Sequence, residues 1–376
     1  MTSVAKIPVI DISDDNQDQA QVAKELVEAA IEHGFIYIKN TGKAIPVEDV
    51  DAAFELARKL FKETPVEEKQ ACTIQKNNRG WSAMHYETLD PKNQRVGDFK
   101  EAFNFGEPSP TNHLQQPIPP TISSAEPFIS RFHTLCHHLS LRLNTLLGIG
   151  LSVSPPDFFT SAHLRENGAS GTILRLLYYP SLSSLTSQSQ GHEVSRTSVK
   201  EKEDVRAGAH SDYGSMTLLF RLKGQAGLEI QTREGNWVPV PVCPPGTEND
   251  PQPPILVNIG DLLSYWTNGL LRSTVHRVVF PGAQANGSGQ EGQEGKGNSL
   301  VEGESGEGER YSIAYFCHPV ESMKLEPVPS ERVRAFGEEN GKAVVNGEKK
   351  MLTADEHLNM RLQASYLKLY EDENKE

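Results

Sequence analysis

The sequence predicts a mainly β fold, a sandwich or barrel of short strands with helices packed outside it. Three observations predict this. From about residue 170 the chain breaks into short β-prone runs, TILRLLYY, MTLLF, GLEIQ, WVPVPV, ILVNIGD, STVHRVVF and RYSIAYF, with Gly, Pro and Asn between them. The stretches before and after these runs carry apolar residues at helical spacing. The chain has 376 residues, 37% of them hydrophobic, which is enough for a large packed core.

Taken in order, Ile7 to Ile12 reads as a strand, and Ser13 and Asp14 offer N-caps to a helix carrying Val22, Leu26, Val27, Ala30 and Ile31. Gly34 ends that helix and FIYIKN follows as a strand. Val50, Phe54, Ala57 and Phe61 mark a second helix, which Pro65 stops. A third runs from about Pro127 to Leu147, with Gly148 and Gly150 after it. The β-prone runs come next. The chain then returns to helix at Thr353–Glu356, where T-A-D-E reads as a capping box, with Leu358, Leu362, Tyr366 and Leu369 following.

These signals divide the chain into an N-terminal α/β region (1–125), a scaffold helix and linker (126–169), a β core (170–325) and a C-terminal helical region (326–376). Two insertions interrupt the core. Residues 181–205 are rich in Ser, Thr and charge, and residues 282–309 in Gly and Glu. Neither has the apolar side chains to offset the entropy of ordering, so both are expected to be mobile.

The formal net charge is -13, which argues against a general affinity for nucleic acid. It leaves room for a local basic pocket. Cys72, Cys136, Cys243 and Cys317 are scattered without a C-x-x-C pair, so free thiols are expected rather than a zinc ribbon. The N-terminus has neither the length nor the flanks of a signal peptide, and no run approaches a membrane span. A cytoplasmic enzyme with no obligate protein partner is the expectation.

The informative segment is AGAHSDYGSMTLLF. His210 and Asp212 are two apart, so on a strand an imidazole and a carboxylate reach from one face. His276 follows in STVHRVV, again among strand formers. H-x-D alone is a weak signal, since any polar pair on a half-buried strand gives it. Two His and one carboxylate together match the facial triad of non-haem Fe(II) oxygenases. Downstream, Arg310 and Ser312 in RYSIAYF share one strand face and offer a planar cationic fork plus a hydroxyl to a carboxylate.

With these residues in place the chain resembles the 2-oxoglutarate/Fe(II) dioxygenases of the isopenicillin N synthase-like family over nearly its whole length. IPVIDIS, HGFIYIKNTG, NNRGWS and DFKEAFNFG resemble the family's N-terminal part, and HSDYGSMTLLF through RYSIAYF its catalytic core. TILRLLYYP, VRAGAHSDYGSMTLLF and RYSIAYFCHP look most like fungal-type members that include thymine 7-hydroxylase. The resemblance implies a double-stranded β-helix, or jelly roll, with helices outside. It implies that His210, Asp212 and His276 take Fe(II). Arg310 and Ser312 would take the far carboxylate of 2-oxoglutarate, and Tyr179 would also reach the cosubstrate. O2 is the second cosubstrate and ascorbate a candidate reductant. Oxidation of a small organic metabolite, by hydroxylation first of all and by desaturation or ring closure as the alternatives, would then release succinate and CO2. Two departures stand out. The interval from His276 to Arg310 is long, and Leu177 sits where many relatives carry a polar residue two before the tyrosine.

Arg175, between leucines, either pairs with a carboxylate or points into a cavity. Tyr213 and Phe316 are either core or substrate contacts. Strand parity with Arg310 and Tyr179 favours Phe316 and Arg175, and adjacency to Asp212 favours Tyr213, as lining one cavity beside the metal, where a cation and two rings suit a planar or carboxylate-bearing substrate. Trp81 is a further candidate for the cavity mouth, whereas Asn258, Asp261 and Trp266 read as turn and packing residues. Two rivals remain: an Fe(II) oxidase of the same fold that does not use 2-oxoglutarate, and a silent relative that binds small molecules. The substrate class stays open among a pyrimidine base, a diterpenoid or other secondary metabolite, and an amino acid.

Overall fold

The computed structural model describes residues 4–13, 18–94, 96–181, 205–280, 308–341 and 351–365. The expected insertions, and Tyr366 and Leu369, lie outside the described residues apart from the insertion ends. In chain order the elements are β1 (Val9–Ile10), α1 (Gln19–Glu32), β2 (Phe35–Ile38), α2 (Val47–Arg58), α3 (Val66–Gln70), β3 (Gly80–Ser82) and β4 (Glu101–Gly106). After them come α4 (Glu126–Gly150), α5 (Phe158–Ser161), β5 (Ile173–Tyr179), β6 (Ala207–His210), β7 (Met216–Arg221), β8 (Leu228–Gln231) and β9 (Trp237–Pro239). The last are β10 (Ile255–Ile259), α6 (Asp261–Trp266), β11 (His276–Val278), β12 (Arg310–Cys317), α7 (Glu331–Glu339) and α8 (Ala354–Ser365).

The strands form two sheets. One has the order β1-β2-β10-β7-β12-β5-β4-β3, the other β6-β11-β8-β9. Every strand pairing is antiparallel except β1 with β2. The architecture is a jelly roll of two open sheets rather than a closed barrel.

Period-two alternation on the large sheet separates the two larger of the three apolar clusters among the described residues. Leu174, Leu176 and Tyr178 of β5 and Tyr311, Ile313 and Tyr315 of β12 point outward into the cluster that includes α1, α2 and α4. Their neighbours Leu177 and Tyr179, with Ala314, point inward to meet Ala207, Leu228, Ile230 and Val278 of the small sheet. A strand buried on both faces loses its alternation, and this is why β4 (EAFNFG) gave no strand signal in the sequence.

Local details differ from expectation at the helix ends. Asp18, not Ser13 or Asp14, caps α1, its Oδ1 accepting from the Ala20 N–H at 2.9 Å. Gly34 does end α1, in the left-handed region at φ 68°. The second helix reaches Glu63 through a π-helical turn over Lys59–Glu63 that leaves both Leu60 and Phe61 buried. Gly148 and Gly150 lie inside α4 rather than beyond it, and they serve close packing rather than termination, since a Cβ there would strike the Pro156 and Ala23 carbonyls. At the C-terminal end the capping box is present. The Thr353 N–H donates to Glu356 Oε2 at 3.0 Å, and the Glu356 N–H to Thr353 Oγ1 at 3.2 Å.

Candidate metal centre and its cavity

His210 is the last residue of β6 and His276 the first of β11, and the ladder pairs them directly, ring centroids 4.4 Å apart. Asp212 lies past the end of β6, not on the strand as its i, i+2 spacing suggested. The turn that carries it is held by the start of α6. The Asp261 N–H donates to the Asp212 carbonyl at 2.7 Å. The Asp261 carboxylate accepts from Ser211 Oγ at 3.0 Å and Ser273 Oγ at 2.7 Å, so it also ties down the approach to His276. Asp261 therefore does more than fill a turn.

Each ligand atom is aimed by a bond on its other side. His210 Nδ1 lies 2.7 Å from the Gly208 carbonyl and His276 Nδ1 3.0 Å from the Thr274 carbonyl. A ring that donates from Nδ1 presents a bare Nε2. Both Nε2 atoms lie 3.7 Å from Asp212 Oδ1. Asp212 Oδ2 is taken by Thr217 Oγ1 at 2.6 Å and Asn258 Nδ2 at 2.7 Å. The three groups offer ligand atoms within 4.8 Å of one another. Burial, then the neighbouring His276, pushes the His210 imidazole down to about 4. Burial alone would raise Asp212, but the two imidazoles and its hydrogen-bond donors outweigh it and hold the carboxyl below its ordinary value. A neutral imidazole and an ionised carboxylate are the forms that a divalent cation binds.

Asn258, which read as a packing residue, thus supports the carboxylate from β10. Replacing Asn258 with Ala leaves Oδ2 with Thr217 Oγ1 alone and should weaken Fe(II) binding about ten- to a hundredfold, the usual cost of losing a partner behind a ligand. A chelator-competition titration measures this, and wild-type affinity would count against the role given to Asn258.

Arg310 and Ser312 lie on the cavity face of β12, with Arg310 opposite Tyr179 on β5. The Arg310 side chain is buried, its Nη1 3.3 Å from Ser312 Oγ and its guanidinium 4.8 Å from the Tyr179 ring centroid. Its Nε has no hydrogen-bond partner, and no carboxylate of the described residues pairs with it. Two further buried arginines raise the local positive potential. Arg206 donates to the Pro180 and Gly308 carbonyls, and Arg221 to those of Val240 and Val242. Burial, then the charge of Arg310, pushes Arg206 down to about 10. A buried cation without its anion is costly, so this end of the cavity fits a dicarboxylate.

All nine site residues expected from the sequence line one cavity: His210, Asp212 and His276; Arg310, Ser312 and Tyr179; Arg175, Tyr213 and Phe316. Arg175 faces into it from β5 and pairs there with Glu87, which sequence reasoning missed, as it missed the adjoining Lys100. Tyr213 lies under the Arg361 guanidinium at 5.2 Å, and Leu358 and Leu362 of α8 close the same side. Trp81 is not a mouth residue. It packs in the outer core and donates from Nε1 to Glu101 at 3.0 Å. The four cysteines are free.

A jelly roll carrying a 2-His-1-carboxylate cluster beside a buried arginine defines the class: a non-haem Fe(II), 2-oxoglutarate-dependent dioxygenase. Comparison with known proteins agrees. Residues 7–121 match the family model of the non-haem dioxygenase in morphine synthesis N-terminal region, and residues 172–319 that of the 2OG-Fe(II) oxygenase superfamily. The chain is 34% identical to the UPF0676 protein C1494.01 of Schizosaccharomyces pombe, over 96% of this chain and 93% of that one. It is 30% identical to the proline hydroxylase buaE of Petromyces alliaceus, over 79% and 84%. The crystal structure of a full-length Neurospora crassa protein in complex with alpha-KG and thymine superposes with a TM-score of 0.68 at 26% identity, over 97% of this chain and 99% of that one. The chain belongs to the 2OG-Fe(II) oxygenase superfamily. It is an enzyme that uses Fe(II) and 2-oxoglutarate. No helix of the described residues is long and apolar enough to cross a membrane.

Proposed function

We propose that His210, Asp212 and His276 hold the Fe(II), that Arg310 with Ser312 and Tyr179 holds the far carboxylate of 2-oxoglutarate, and that a small planar polar molecule lies against Arg175, Tyr213 and Phe316 and is hydroxylated. One observation carries the reading. Two Nε2 atoms and one carboxylate oxygen are each left bare by a bond on their other side, and they converge in the cavity that also holds the buried cation. Iron bound there supplies the O2-dependent oxidation that converts 2-oxoglutarate to succinate and CO2 and places oxygen on a substrate carbon. The chain's own residues do the positioning. Arg310 fixes the cosubstrate at its far end, leaving the keto-acid end toward the triad. Ser312 and Tyr179 set the plane of its approach.

The substrate wall favours a molecule of zero net charge. Arg175 pairs with Glu87, and Lys100 lies 2.9 Å from Glu87 and pairs also with Asp98, so two acids balance two bases. Burial opposes the Lys100 charge, but Asp98 and Glu87 outweigh it and raise the ammonium above its ordinary value. A free carboxylate would add an uncompensated charge to this balanced set, whereas the donor–acceptor edge of a ring amide would not. Among the open substrate classes this supports a pyrimidine base, and the thymine held in the Neurospora crassa crystal structure fits that class.

The test screens thymine, other pyrimidine bases and amino acids for succinate release above the uncoupled background. A pyrimidine base is expected to stimulate it. Arg175→Met should then cut the stimulated part by about a hundredfold, because the C–H bond is no longer oriented, while background decay survives. Equal loss of both would move Arg175 out of substrate binding.

A further inference from the structure

A charged chain runs behind the cavity wall and ends on a metal-ligand strand. Glu87 and Lys100 face the cavity, and Lys100 pairs with both Glu87 and Asp98. Asp98 is 1% exposed and lies behind that wall. Its Oδ1 accepts from Gln94 Nε2 at 2.7 Å and from the Gly208 N–H at 3.0 Å. The Gly208 carbonyl in turn accepts from His210 Nδ1 at 2.7 Å. Gly208 is therefore held at its N–H by Asp98 while its C=O holds the imidazole. The fit is close. A Cβ on Gly208 would strike Gln94 Oε1 and lie 2.9 Å from the Asp90 backbone nitrogen, so Asp90 and Gln94 seat directly on β6.

We propose that Asp98 is a positioning residue for the iron centre: it fixes Gly208, and through Gly208 the orientation of His210, and through Lys100 and Glu87 it joins that ligand to the substrate wall. The proposal rests on the reading that the triad holds Fe(II). The plainer alternative is a buried ion pair that serves the fold alone. Burying charges costs about as much as their attraction returns, so such a pair is a weak stabiliser. This one also spans from the cavity surface to the backbone beside a ligand. Partners behind metal ligands set ring orientation and affinity in this way.

The test measures Fe(II) affinity of the full chain anaerobically by chelator competition, alongside the melting temperature of the metal-free protein. Asp98→Ala removes the acceptor for Gly208 and should raise the Fe(II) Kd about ten- to a hundredfold. Asp98→Asn keeps an oxygen opposite the Gly208 N–H and should restore most of that affinity. A purely structural role predicts instead that both variants melt earlier while the folded protein keeps the wild-type Kd, and that result overturns the proposal. Should Asp98→Ala not fold, Gly208→Ala carries the test, since its Cβ displaces the loop from β6. Weakened Fe(II) binding in folded Gly208→Ala supports the proposal, and a wild-type Kd overturns it. Failure of the wild-type chain to bind Fe(II) at all would sink the iron reading itself.

Discussion

Alanine at His210, Asp212 or His276 abolishes 2-oxoglutarate turnover and weakens Fe(II) binding, while the protein still folds. Each substitution removes one of three ligand atoms that lie within 4.8 Å of one another, and a two-ligand site cannot hold the ion against buffer and chelators. The fold persists because none of the three belongs to any of the apolar clusters of the described residues. Asp212→Ala has a further cost, since Thr217 Oγ1 and Asn258 Nδ2 lose their acceptor, on the order of 1–3 kcal/mol. It should therefore melt slightly below the two His variants. Succinate assay, iron titration and thermal melting read these three effects separately. Full turnover in any one of the variants would remove that residue from the site.

Arg310→Lys gives the second large effect. It should raise the KM for 2-oxoglutarate roughly ten- to a hundredfold, which corresponds to losing one charge-assisted hydrogen bond of about 1.5–3 kcal/mol. Lysine keeps the charge but loses the planar fork and the stacking on Tyr179 that hold the guanidinium in place. Arg206 and Arg221 preserve the positive potential in the variant, so weak binding should remain rather than vanish. Steady-state kinetics with 2-oxoglutarate as the varied substrate measure the shift. An unchanged KM would place the cosubstrate elsewhere in the cavity.

The site was legible where strand parity governs. Arg310, Ser312 and Phe316 on β12, and Arg175 and Tyr179 on β5, follow period two and all face the cavity. The His210–Asp212 spacing led to the right pair by partly the wrong route, since Asp212 sits in a turn that Asp261 secures. What stayed hidden depends on tertiary approach. Glu87, Asp98 and Lys100 come from irregular chain that reaches the cavity only because β3 and β4 extend the large sheet past β5. Those strands gave no periodic signal because they are buried on both faces. Arg206 and Arg221 look in sequence like surface charges, and nothing local marks them as buried. Asn258 is the second polar residue of a buried set whose partner, Asp212, lies 46 positions away.

The most direct measurement is succinate formed per 2-oxoglutarate consumed by the iron-loaded chain in air, compared with the Asp212→Ala variant. The wild type should form one succinate for each 2-oxoglutarate, dependent on added Fe(II), and the variant none above background. Iron-bound wild type that leaves 2-oxoglutarate intact, or a variant that consumes it at the wild-type rate, would rule out His210, Asp212 and His276 as the site of 2-oxoglutarate oxidation.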